Sequence, residues 1–232
     1  MTIEELGILH TISQLLTMPF AICFSRWYSS RYGMTRSQAV KYSITLVLIL
    51  YFFSHAWQWV GYLIQFPIAV NSARTFLFIP IFTWLLSKVW DVGMLRGADF
   101  ATPLSFFARG ICLIGCTMIG CGQAVSCDWG IYSPRNGCRV FPMDLIDLIA
   151  TFAIGFISLA YAKKLQYQGN GRVFALAMIC LGVVRHLIQF GSTDRYFGII
   201  GFNDETIISI LSVIMGAEIF QRNENRMNIR KT

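Results

Sequence analysis

Seven apolar runs, each close to the length of a lipid-spanning helix, dominate this sequence. They lie near 8–25, 42–64, 73–89, 101–121, 143–162, 173–191 and 205–220. A bilayer core about 30 Å thick takes roughly 20 apolar residues of helix. The runs therefore predict seven transmembrane helices, and they consume most of the 232 residues. The expected fold is an all-α polytopic membrane protein, with one integral membrane domain over 1–232 and only short loops between spans. Composition agrees: 55% of the chain is hydrophobic and 13% charged, against about 25% charge in a soluble domain. Nineteen phenylalanines and six tryptophans exclude disorder.

The basic residues set an orientation. Alternate loops hold Arg26, Arg31, Arg36 and Lys41, then Lys88 and Arg96, then Lys163, Lys164 and Arg172, then Arg222, Arg226, Arg230 and Lys231. Cytoplasmic loops carry such an excess, so the N-terminus is expected outside and the C-terminus in the cytoplasm. The net charge of +7 thus reads as membrane topology, with no nucleic acid implied. The opening MTIEELG carries Glu4 and Glu5 and no basic residue, unlike a secretory signal. The first span is expected to stay in the mature protein.

Six basic residues break the pattern: Arg74, Arg109, Arg135, Arg139, Arg185 and Arg195. They fall in spans or on the outer side. Burying a charge at membrane depth costs roughly 2.5–3.5 kcal/mol on insertion scales, so such residues face a bundle interior or a wet cavity. Snorkelling to an interface is the plainer alternative. Arg109 and Arg185 lie inside spans. Guanidinium pairs bidentately with phosphate and keeps its proton, and the plentiful phosphate of a membrane is the lipid headgroup. The residues alone point to an outward-facing, arginine-lined cavity for an anionic lipid or a similar anion.

The other polar residues allow several readings. Cys112, Cys116 and Gly120 recur on one helix face, which suits close helix packing. No Cys-x-x-Cys occurs and there are three histidines, His10, His55 and His186. A zinc site usually needs four ligands, so no metal and no cofactor is expected. Cys127 and Cys138 bracket an outer loop whose Ser133-Pro134 and Asn136-Gly137 steps form turns, making them a candidate disulfide. Asp144 and Asp147 open the fifth span three residues apart. Capping the helix is one role for them. Orienting a cavity arginine is another, for Asp147.

One segment carries a resemblance. FALAMICLGVVRHLIQFGSTD, residues 174–194, resembles the late-chain signature of the prolipoprotein diacylglyceryl transferase family through Phe174, Ala175, Leu176, Gly182, Arg185 and Asp194. Leu181 replaces that family's tyrosine, and Gln189 its acid four residues after the arginine. Upstream, IGCTMIGCGQAVSCDWGI is similar through Gly115, Cys116, Gly120, Cys121, Trp129 and Gly130. Pro142 to Asp147 matches a Pro-x-Gln-Leu-Tyr-Glu element, with the closing acid kept in kind. Arg31-Tyr32-Gly33 matches a basic loop after the first span.

The resemblance implies transfer of a diacylglyceryl group from phosphatidylglycerol to a lipobox cysteine thiol in the bacterial cytoplasmic (inner) membrane, with glycerol phosphate leaving. Partners would be phosphatidylglycerol and a lipobox-containing precursor. Arg185 matches one essential arginine of the family. The second falls on Leu113, and Arg109 lies one turn earlier on the same face. The implied catalytic set is Arg185, Arg109 and Asp147, with His55 a candidate base. Arg185, Arg139, Gln189 and Asp194 would meet the lipid headgroup. The family's His-Gly-Gly-Leu motif has no counterpart, because no histidine lies between His55 and His186. Two other readings therefore stand beside the enzyme: an inactive binder of anionic lipid or lipopeptide, and a structural subunit of a membrane assembly.

Overall fold

The computed structural model describes residues 3–63, 78–122, 124–191 and 204–229. Seven α-helices lie among the described residues: α1 (Ile3–Tyr28), α2 (Arg36–Leu63), α3 (Ile79–Trp90), α4 (Met94–Ile119), α5 (Met143–Lys164), α6 (Arg172–Ile188) and α7 (Asp204–Ile229). Each corresponds to one expected apolar run. Four described segments are long and apolar enough to cross a membrane: 7–32, 94–119, 143–164 and 172–191. The described part of the expected 73–89 span is the 12-residue α3, and residues 64–77 lie outside the described set.

Small hydroxyl residues are buried among an aromatic and aliphatic core, and many large apolar side chains face outward. Ser13, Thr17, Ser25, Ser43, Thr102, Ser158 and Ser212 are buried, while Leu15, Leu16, Leu48, Val89, Ile149, Phe156 and Leu187 are exposed. An apolar exterior suits lipid, and small residues inside let helices approach closely. Hydroxyls inside close onto carbonyls one turn back, as Thr102 does to Ala98 at 2.7 Å. α6 crosses α7 closely. A Cβ on Gly182 would stand 2.6 Å from the Ser209 carbonyl oxygen, and one on Gly216 would stand 2.6 Å from that of Ala175.

α4 runs through the centre and buries its residues 97–110 entirely. Phe20 and Phe24 of α1 pack on Phe107, and Tyr28 stacks on Phe100. Ser13 meets the Cys112 carbonyl. α1 is therefore antiparallel to α4. α5 is antiparallel as well, since Thr117 meets Asp144 and Phe107 meets Phe156. The basic loops gather at one end, where Arg31 Nη1 donates to the Tyr167 hydroxyl at 2.5 Å and lies over the Trp27 ring. Gln38 reaches the Trp90 carbonyl nearby.

α4 begins at Met94, before the expected 101, because Asp99 is buried rather than excluded. Its Oδ2 accepts from the Gly171 N–H at 2.8 Å and its Oδ1 from Phe174 N–H at 3.0 Å. A carboxylate from α4 thus caps the positive N-terminus of α6.

The all-α expectation misses a β-hairpin at the opposite end. β1 (Ser126–Ser133) pairs antiparallel with β2 (Cys138–Val140), closed by a turn ending at Gly137, whose φ is +65°. Asn-Gly chemistry favours such reversals. The base is pinned where the Val125 N–H meets the Gly191 carbonyl at 2.9 Å, just past α6.

Replacing Asp99 by alanine should orphan two buried donors at roughly 1–3 kcal/mol each. Thermal unfolding in detergent should show a loss of about 2–4 kcal/mol. Asp99→Asn, which keeps one acceptor oxygen, should lose less.

Candidate functional site

Arg109 on α4, Asp147 on α5 and Arg185 on α6 meet inside the bundle. Arg109 forks onto the carboxylate: Nη1 donates to Oδ1 at 2.9 Å and Nη2 to Oδ2 at 2.5 Å. Arg185 Nη1 donates to the same Oδ2 at 3.0 Å. Thr151, one turn beyond Asp147, accepts from Arg109 and donates to Asp147 Oδ1 at 3.4 Å. The Arg109 and Asp147 side chains are 5% and 8% exposed, and Arg185 is 11% exposed. Helix phase makes this possible. Asp147 and Thr151 are i and i+4 and share a face, directed at the Arg109 side of α4.

Both arginines converge on one carboxylate, and Asp144 acts electrostatically on Arg185 as well. Arginine keeps its proton, so both guanidinium groups stay charged, and such a fork suits an anion. Arg109 has both terminal nitrogens on Asp147, and so acts as a clamp on the carboxylate. Arg185 is the more outward of the two. Beside it, Phe141, Ile146, Ala150, Val184, Leu187 and Ile188 line an apolar groove of about 210 Å³ between α5 and α6.

The structure thus brings together three of the sequence candidates. Asp144, expected as a cap of its own helix, instead accepts from the Gly122 N–H at 2.9 Å and pins the turn after α4. Arg139 lies apart on β2, where it shares a hairpin cleft of about 440 Å³ with Ser126, Cys127, Asp128 and Cys138. Gln189 bridges helices: its Nε2 lies 2.8 Å from His186 Nδ1, and its Oε1 accepts from the Thr206 hydroxyl at 2.7 Å. Cys127 and Cys138 are both free thiols, since the ladder sets Ser133, not Cys127, opposite Cys138. His55 falls in α2 and its side chain is outside the described residues, as are Arg74, Asp194 and Arg195.

Thr151 was not singled out in the sequence, although its i+4 spacing from Asp147 was a usable signal. His10 is one of three histidines, with no ligand near it in sequence. The fold packs it against the end of α4, with Nδ1 3.9 Å from Cys116 Sγ. No local pattern announces a contact across 106 positions.

An apolar exterior, apolar helices of membrane-spanning length and a buried arginine–aspartate–arginine trio define a helical membrane protein with a charged centre. The chain belongs to the prolipoprotein diacylglyceryl transferase family, whose model matches residues 20–221. All three charged residues fall inside that range. It is 28% identical over 150 residues to the phosphatidylglycerol–prolipoprotein diacylglyceryl transferase of Clostridium tetani, covering 61% of this chain and 58% of that protein. The corresponding transferase 2 of Clostridium perfringens is 28% identical over 153 residues, covering 63% and 57%. The chain thus spans less than two thirds of the length of either relative.

Removing Asp147 leaves two buried cations facing each other, whereas removing Arg109 leaves the Asp147–Arg185 pair. Asp147→Asn should therefore lose about 3–5 kcal/mol, and Arg109→Met clearly less. Unfolding in detergent checks the order, and equal losses would contradict the clamp.

Proposed function

We propose that this protein is a diacylglyceryl transferase of the bacterial cytoplasmic membrane, taking phosphatidylglycerol as donor and a lipobox cysteine thiol of a precursor protein as acceptor. Seven spans with the N-terminus outside and the C-terminus in the cytoplasm complete the reading. The gathered basic loops at one end support that orientation. The hairpin and the trio then belong to the outer side.

The observation that carries the proposal is the Arg109–Asp147–Arg185 trio, in a chain of this family. In the reaction the acceptor thiol loses its proton, and its sulfur bonds to the glycerol carbon that carries the phosphate. The carbon–oxygen bond breaks, and its electron pair leaves on the oxygen of glycerol phosphate. Positive charge fixed beside that oxygen lowers the barrier, because the site does not have to reorganise as charge develops. Arg185 fills this role, offering a guanidinium fork to the phosphate. Arg109 and Thr151 are positioning residues that hold Asp147, and Asp147 holds Arg185. The groove beside Ile146 and Val184 suits an acyl chain.

The non-catalytic binder has one observation in its favour, the absence of any histidine between His55 and His186. Mass spectrometry separates the two readings. Purified protein given phosphatidylglycerol and a lipobox peptide should yield a diacylglyceryl adduct. Arg185→Ala should reduce its rate by about 10²–10³-fold, the loss seen when a preorganised donor to developing charge is removed. Bound anionic lipid without any adduct would favour the binder.

A further inference from the structure

One imidazole and two thiols converge where α1 crosses the end of α4. His10 Nδ1 lies 3.9 Å from Cys116 Sγ, and Cys116 and Cys121 hydrogen-bond to one another. All three ligand atoms lie within 4.8 Å of one another, each on a half-buried residue. Backbone geometry holds them there. α4 ends between the cysteines, where Gly120 turns left-handed with φ +74°. The N–H groups of Gly120 and Cys121 both return to the Cys116 carbonyl, at 2.8 and 3.1 Å, so Cys121 folds back over Cys116. On the other side, a Cβ on Gly115 would stand 2.6 Å from the His10 Cα. Only glycine lets α1 come this close.

These are the donors a thiophilic cation takes. Around one zinc ion, with Zn–S about 2.3 Å and Zn–N about 2.0–2.1 Å, neighbouring ligand atoms stand roughly 3.5–4 Å apart. The observed cluster needs a contraction of under about 1 Å to reach that spacing. A metal on Nδ1 requires the proton on Nε2, and ligating histidines give that proton to an outer partner. Nε2 lies 3.0 Å from the Gln14 amide, whose oxygen accepts it once the amide is turned.

We propose that His10, Cys116 and Cys121 form a three-ligand Zn²⁺ site with an open fourth position, and that this position binds the acceptor thiol; the second half rests on the transferase reading. Three protein ligands and an open place are the arrangement of zinc sites that act on a substrate, while closed structural sites have four. Each coordinating thiol gives up its proton on binding, so the ion supplies the acceptor as thiolate. That sulfur bonds to the glycerol carbon while the carbon–oxygen bond breaks and glycerol phosphate leaves toward Arg185. Cys116 is seven residues from Arg109, about 10 Å along α4. Asp144, one turn before Asp147, interacts electrostatically with both Cys121 and Arg185.

Cobalt tests the site directly. Full-length protein in detergent should bind one Co²⁺ per chain with thiolate-to-cobalt charge-transfer absorption, displaced by Zn²⁺. Replacing both Cys116 and Cys121 by serine should remove that band. Gln14→Leu should weaken binding about 10–100-fold, as loss of an outer partner does. Arg185→Ala should leave the band intact. A cysteine-containing lipobox peptide should intensify it, and its serine counterpart should not. Substoichiometric metal, a band that survives loss of both cysteines, or a Cys116–Cys121 disulfide in the purified protein would overturn the site. A band indifferent to the cysteine peptide would overturn the open position. Transfer that persists in metal-free protein would count against this proposal alone, whereas an intact cobalt site without any transfer would count against the enzyme.

Discussion

The Asp147 carboxylate is the point on which the bundle's interior depends. It is the acid facing two buried arginines from two other helices. Each pairing gains strength from the low dielectric around it, and for the same reason each becomes costly to break. The three helices can pack closely only while all three groups are present. Arg109 takes both carboxylate oxygens, so the orientation of Asp147 is fixed before Arg185 is considered. Arg185 then inherits a defined position at the rim of the apolar groove.

The remaining packing serves this arrangement. α4 is central, with residues 97–110 buried on every side. Aromatic side chains fill the end where the basic loops meet, with Tyr28, Tyr32, Phe100 and Tyr167 in mutual contact. Small residues fill the other crossings. Rings give bulk and rigidity where the helices diverge, while glycine and serine allow contact where they converge.

Much of this was legible in the sequence. Helix positions followed from apolar runs, because lipid imposes a length on every span. Arg109, Arg185 and Asp147 stood out because charge at depth is expensive without a partner. What stayed hidden was pairing across the fold. Asp99 lay just before the expected 101–121 span, and its purpose depends on the α6 N-terminus 72 positions away. His10 looked solitary because its neighbours come from another helix. Spacing rules for metal ligands detect sets within one local segment, and this cluster joins two. The hairpin was missed for a different reason: two strands of eight and three residues are a faint signal beside seven apolar runs.

The Asp99 cap carries a further consequence. α4 and α6 run in the same direction and are tied twice, once at Asp99 with Phe174 and once through Asp147 at Arg109 and Arg185. The tied stretches are ten and eleven residues long, about 15 and 16.5 Å of helix. The two helices therefore behave like matched rulers fixed at both ends. A residue added or lost in either stretch would shift the far end by about 1.5 Å and rotate it by about 100°. Arg185 would then point away from its carboxylate. Between the two ties the chain can change its side chains, but its length is held in phase.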